Sequence, residues 1–272
     1  MSEEMPMEIA ADRRETRLEV KDLEVVLGRG VRATRVLHGI SFRIEAGTTV
    51  GLVGESGSGK STIAKTVVGV HRPAAGSILF DGEDISAARG RRRTELRRRI
   101  QLIPQDPYSS LDPRRTIGQT LAEALDPRRA SVREHRDRIS ELLRLVALDD
   151  GAIARYPSEF SGGQRQRIAI ARALAVKPDL IIADEITSAL DLSTQAEILE
   201  LFARLRAELR LTVLFVSHNL AVVRQVSDEV VVLLHGDIVE QGAGDQVLRR
   251  PEHAYTERLL ASVPGGPGFS LD

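Results

Sequence analysis

From residue 18 onward the chain alternates between short β-branched runs and longer stretches with helical spacing. LEVKDLEVVL, ISFRIEAG and TTVGLVG read as strands, and the last runs through a glycine-rich turn into the helix-like STIAKTVVGV. GSILFDGEDI predicts a strand with an Asp81-Gly82 turn, and IQLIPQ a strand stopped by Pro104. Residues 106–160 have a different texture: IGQTLAEAL and VREHRDRISELLRLVAL predict helices set between Pro107, Pro113, Pro127 and Pro157. Within 132–148, Ile139, Leu142, Leu143, Val146 and Ala147 fall on one helical stripe. DLIIAD, STQAEILELFARLRAEL, LTVLFVSH, DEVVVLL and DIVEQG then restore the strand–helix alternation. The pattern predicts an α/β domain over 18–263 with a mostly parallel, buried sheet and a helical insertion at about 106–160. Residues 1–17 read as a polar tail and 264–272 as a flexible end.

Composition narrows the chemistry. With 272 residues the chain is long enough to bury a full core. It has no cysteine, which excludes disulfides, thiolate zinc sites and cysteine-held iron–sulfur clusters. Its 38 basic and 39 acidic residues nearly cancel, and only 3% of residues are aromatic, so nothing points to nucleic acid. Seven arginines in 89–99 read as a solvated face, because no aromatic interleaves them. The longest stretch without a formal charge lies inside 211–223, too short for a membrane span.

The segment Gly54-Glu55-Ser56-Gly57-Ser58-Gly59-Lys60-Ser61-Thr62 follows an apolar strand and opens a helix. In that context G-x4-G-K-[ST] forms a phosphate cradle: glycines let backbone N–H groups converge on phosphate oxygens, and the helix start adds positive charge. Lys60 is placed to reach the β- and γ-phosphates, and Ser61 to ligate Mg²⁺. Downstream, Leu180–Ala183 runs into Asp184-Glu185. Carboxylates at the end of a buried parallel strand sit where open α/β sheets bind ligands. Asp184 suits Mg²⁺, and Glu185 suits a general base for in-line attack on the γ-phosphate. A second cradle, Ser161-Gly162-Gly163, precedes the helix-like IAIARALAV, and Ser161 fits an N-cap. One nucleotide does not easily touch both cradles of one chain, so the simplest arrangement is a dimer in which each chain covers the other's ATP.

Together, GESGSGKST (54–62), Gln105 after a strand, FSGGQRQR (160–167), LIIADE (180–185), SALD (188–191) and His218 after LTVLFVS resemble the ATPase subunit of ABC transporters. QDPYSSLDPR (105–114) and PEHAYTERLLASVP (251–264) are similar to the oligopeptide, dipeptide and nickel importer branch. The resemblance implies a P-loop NTPase fold with an N-terminal antiparallel β subdomain and an inserted helical subdomain. It implies that Gln105 contacts Mg²⁺ and the attacking water, that Asp191 lies at a dimer seam, and that His218 contacts the γ-phosphate. It further implies a peripheral subunit on the cytoplasmic face of the membrane. Its partners would be permease subunits, a second ATPase subunit, usually a different one with a homodimer as the alternative, and, indirectly, a solute-binding protein. Three features depart from that family's usual pattern: Leu27 stands where an aromatic often stacks on adenine, Ile186 follows the acid pair in place of proline, and the cysteine-bound cluster of some relatives is excluded. A soluble ABC-type ATPase acting on nucleic acid or ribosomes, and an ATP-binding partner subunit of low activity, are the competing readings.

Overall fold

A computed structural model describes residues 15–28 and 30–262. The chain opens with an antiparallel meander, β1 (Thr16–Leu27) and β2 (Thr34–Glu45), and crosses to β3 (Thr49–Val53) and α1 (Lys60–Val67). A hairpin of β4 (Ala75–Phe80) and β5 (Glu83–Asp84) follows, then α2 (Gly90–Arg99) and β6 (Ile100–Ile103). Next come α3 (Pro107–Ser110), α4 (Ile117–Leu125) and α5 (Arg136–Leu145), with 3-10 turns at Asp150–Ala154 and Pro157–Glu159. The remainder is α6 (Gly162–Leu174), β7 (Leu180–Asp184), α7 (Leu192–Leu209), β8 (Thr212–Val216), α8 (Leu220–Val226), β9 (Glu229–Leu234), β10 (Asp237–Ala243), α9 (Gly244–Arg249) and α10 (Ala254–Ala261).

Two sheets result. One is antiparallel, in the order β2-β1-β4-β5. The other runs β10-β9-β3-β8-β7-β6, with β10 antiparallel to β9 and every other neighbouring pair parallel. The parallel strands feed alternate side chains to two cores, as a two-residue period requires. Ile181, Ala183, Val213, Phe215, Val230 and Val232 enter a core shared with α4 to α8. Leu180, Ile182, Leu214, Val216, Val231 and Leu233 enter a core shared with the antiparallel sheet, α1 and α2. Gly51 on β3 is forced by packing: a Cβ there would lie 2.5 Å from both Val223 Cγ1 and Ser227 Oγ, so only glycine lets α8 approach β3.

Several expectations need adjustment. Thr16 and Arg17, read with the tail, belong to β1, where Thr16 pairs with Glu45 and Arg17 forms an ion pair with Asp81. Glu15 is described as well, its carbonyl accepting from Ala46 N–H, while residues 1–14 and the C-terminal tail 264–272 lie outside the described residues. The helical stripe is shorter than its pattern. Ser131 caps a separate turn through Glu134 N–H, and α5 begins only at Arg136. At the other end Leu148 N–H reaches back to Leu143 O and Ala147 takes φ +56°, a left-handed helix terminus that leaves Ala147 exposed. The Asp81-Gly82 turn has positive φ at both residues, the geometry that a two-residue hairpin with native twist needs.

The arginine run folds as α2, whose only buried residue is Leu96. Three of its arginines are in ion pairs: Arg91 with Glu95, Arg92 with Glu83, and Arg99 with Asp179 and Asp81. Among the described residues, no helix is long and apolar enough to cross a membrane.

Candidate active site at the carboxyl edge of the parallel sheet

The site gathers where β3, β7 and β8 end side by side. Leu52 and Val216 are neighbours across β3 and β8, and Val216 and Asp184 across β8 and β7. The glycine-rich loop 54–59 leaves β3 and enters α1, whose first intrahelical bond runs from Ile63 N–H to Gly59 O. The amides of Lys60, Ser61 and Thr62 precede that bond, so helix geometry gives them no partner within α1. Gly54 has φ +151°, and a Cβ on it would meet Leu233 O at 2.2 Å, so the start of the loop is pressed against β9. At Gly57 an added Cβ would meet nothing within 4 Å, so this part of the loop faces open space. The Ser58 hydroxyl is buried and has no hydrogen-bond partner among the described residues.

Lys60 is 4% exposed, and its Nζ donates to Gly54 O at 2.7 Å and Glu55 O at 2.8 Å. Burial pushes its pKa below the ordinary lysine value, against the opposing pull of Glu185, Asp184 and Glu55. Ser61 Oγ donates to Asp184 Oδ1 at 3.2 Å. Burial raises the Asp184 carboxyl, with the Ser61 hydrogen bond acting the other way. A hydroxyl and a buried carboxylate this close form the hard-oxygen pair that Mg²⁺ takes, and buried charges are normally paired or metal-bound. The donor set therefore fits the cation.

Glu185 follows at the strand end, its N–H bonded to Val216 O at 2.9 Å and its φ at +49°. That left-handed backbone is uncommon for a side-chain-bearing residue and turns the chain sharply after Asp184. His218 Nδ1 stands 3.3 Å from Glu185 Oε1. Gln105, just beyond β6, donates from Nε2 to Ser188 Oγ at 3.2 Å, and Ser188 Oγ donates to Glu185 O at 2.9 Å. Gln105, Ser188, Glu185 and His218 thus form one continuous string. Ile186 is buried at 1% and packs in the core beneath the turn.

The Ser161–Gly163 turn sits apart. Ser161 caps α6 with a reciprocal Ser161–Gln164 box. A Cβ on Gly163 would lie 2.3 Å from Thr194 Cγ2, so this turn packs closely on the start of α7. Asp191 caps α7, accepting from Thr194 N–H and from the Ser193 and Thr194 hydroxyls, which hold its carboxyl well below the usual range. Among the described residues, none of the hydrogen bonds or ion pairs links the Ser161–Gly163 turn to the Gly54–Thr62 loop. Leu27 is half-buried and packs against the core below the antiparallel sheet.

A family model described as "ABC transporter" matches residues 37–188, more than half of the chain, a span that includes the Gly54–Thr62 loop, Gln105, the Ser161–Gly163 turn and the Asp184-Glu185 pair but not Asp191 or His218. The chain belongs to the ABC transporter family. Among its relatives, the Di/tripeptide transport ATP-binding protein DppF of Pseudomonas aeruginosa is 45% identical over 92% of this chain and 80% of its own length. The Oligopeptide transport ATP-binding protein AppF of Bacillus subtilis is 43% identical over 94% and 80%. Among solved structures, the ATP-binding cassette MJ0796, in a dimeric post-hydrolysis state bound to ADP and Pi, superposes with a TM-score of 0.74. The identity there is 30%, over 83% of this chain and 98% of that one.

Two further residues pack on or bond to these loops without having been singled out as site residues from the sequence. Thr194 lies one helical turn into α7 and braces Gly163. Tyr255, on α10, accepts a hydrogen bond from Glu55 N–H at 3.0 Å. The chain has only three tyrosines, and Tyr255 lies in the segment 251–264, which is the signal available for it.

Proposed function

We propose that this chain is the ATP-hydrolysing subunit of an ABC importer for di- and oligopeptides, seated on the cytoplasmic face of the membrane beneath permease subunits. The observation that carries the reading is the string Gln105–Ser188–Glu185–His218 beside the Ser61–Asp184 pair and the Lys60 loop. The peptide assignment is supported by the named transport roles of DppF and AppF.

ATP is the substrate. Its triphosphate lies along the Gly54–Thr62 loop, where Lys60 and the start of α1 face phosphate charge. Ser61, Asp184 and Gln105 would hold Mg²⁺, which when bound neutralises phosphate oxygens. Glu185 takes a proton from the attacking water. The oxygen of that water bonds to the γ-phosphorus as the bond to the β–γ bridging oxygen breaks, leaving ADP and phosphate. His218 orients the Glu185 carboxylate and meets the γ-phosphate. The Ser161–Gly163 cradle covers the nucleotide held by a second ATPase subunit in a heterodimer, so hydrolysis releases the pair from each other. The dimeric state of MJ0796 supports that arrangement.

The test is reconstitution of the full chain with its permeases and partner ATPase in proteoliposomes. Mg²⁺-dependent ATPase activity stimulated by a peptide-loaded binding protein is expected. Hydrolysis without peptide uptake would remove the peptide assignment, and co-purification with ribosomes or DNA in place of permeases would favour a soluble ATPase.

A further inference from the structure

The Gly54–Glu55 peptide unit is held at both ends. Its carbonyl, Gly54 O, accepts from Lys60 Nζ at 2.7 Å, and its N–H, that of Glu55, donates to the Tyr255 hydroxyl at 3.0 Å. The first contact comes from within the loop. The second comes from 200 residues further along the chain.

Tyr255 is itself fixed. It is 3% exposed and packs in the core shared with the parallel sheet. Its N–H donates to His253 Nδ1 at 3.1 Å. The N–H groups of Glu252 and His253 donate to the Glu240 carboxylate on β10 at 2.9 and 3.2 Å. Since β10 pairs with β9, and β9 with β3, the entry to α10 is anchored to the same sheet that launches the loop. The loop is therefore gripped within a closed frame: β3 delivers it, and β9, β10 and α10 bring Tyr255 back to it.

We infer that Tyr255 is a positioning residue for the nucleotide site, its hydroxyl fixing the Gly54–Glu55 peptide so that the loop is pre-shaped for phosphate. The inference rests on the ATPase reading of the loop. Without the hydroxyl, the Glu55 amide loses its acceptor, and rotating the peptide toward another partner moves Gly54 O off Lys60. Nucleotide binding must then bear the cost of ordering the loop, which raises KM more than it lowers kcat.

The experiment compares the full chain with Tyr255→Phe and Thr256→Val. Thr256 is fully buried, and its hydroxyl has no partner among the described residues, so its variant perturbs the same helix without touching the loop contact. Tyr255→Phe should speed amide exchange at Glu55 by about tenfold or more in nucleotide-free protein. It should raise KM for magnesium ATP about five- to tenfold while kcat stays within about twofold. Thr256→Val should match wild type on all three measures. Unchanged Glu55 exchange or unchanged KM in Tyr255→Phe overturns the inference, as does an equal effect from Thr256→Val. If Tyr255→Phe does not fold, wild type decides: a Glu55 amide that exchanges as fast as that of Gly57 overturns it. A wild-type chain that does not hydrolyse ATP defeats the functional reading instead, and the exchange data still decide the anchor.

Discussion

His218 Nδ1 lies 3.3 Å from Glu185 Oε1, and Glu185 is the less exposed of the two side chains, at 15% against 56%. The imidazole therefore stands on the open side of the carboxylate, while the Glu185 main chain is held from behind, its N–H donating to Val216 O and its carbonyl accepting from Ser188 Oγ. Glu185→Gln keeps the shape and removes the base. Steady-state ATPase activity should fall by about 10²–10⁴-fold, with nucleotide affinity retained in equilibrium binding. Near-normal turnover would move the base role to another group.

Gly163 and Thr194 make a packing test of the second cradle. Gly163→Ala forces a methyl against Thr194 Cγ2, an overpacking that costs about 1–3 kcal/mol. It should lower both ATPase activity and thermal stability. Adding Thr194→Ser deletes the obstructing methyl but keeps the hydroxyl that bonds Asp191. The double variant should recover most of both losses, and no recovery would mean that the cradle fails for another reason.

Asp184 is expected to trade stability for chemistry. Burial raises its pKa above the ordinary 3.8, so its charged form is disfavoured in the fold and stability falls as pH rises through that raised value. Asp184→Asn should abolish Mg²⁺-dependent hydrolysis yet melt about 1–3 °C higher at neutral pH. The thermal gain should shrink on acidification, as the wild-type carboxyl takes up its proton. A variant that melts lower at neutral pH contradicts this.

His38 on β2 and Asp237 on β10 stitch the two sheets, with Nδ1 3.0 Å from Oδ2 and His38 N–H bonded to Gly236 O. The hydrogen bond to Asp237 raises the His38 pKa above 6.5. The stabilisation is fully present below 6.5 and is lost as pH rises through the raised value. The pair is largely exposed, so its worth is below about 1 kcal/mol. The melting difference between wild type and His38→Gln should be largest near pH 5.5 and smallest above about pH 8. A difference constant with pH would show that the ion pair contributes nothing.

What was legible in the sequence is what is contiguous in it. The 54–62 loop, the Asp184-Glu185 pair and the capped turn at Ser161 each carry their chemistry in adjacent residues, so strand and helix context located them. The Ser61–Asp184 contact spans 123 residues and followed only from where strand ends meet in a parallel sheet. The Tyr255–Glu55 contact depends on how the chain returns through β9, β10 and α10, and no local pattern encodes that. The α5 reading failed at both ends for a local reason. The apolar stripe continues past the helix, but Ala147 turns left-handed and breaks it. Arginines 89–99 were legible as a solvated face because charge without interleaved apolar residues leaves little to bury.

The division of each parallel strand between two cores has a consequence for how this protein can vary. Removing one residue from β7 would exchange Ile181 and Ala183 with Leu180 and Ile182, sending every side chain into the wrong oily compartment. It would also move the carboxylate at position 184 away from Ser61. Length changes in the strands are thus penalised twice, once by folding and once by chemistry. Indels that survive should cluster in the connections, and the spacing from strand to acid pair should hold wherever this machinery still turns over.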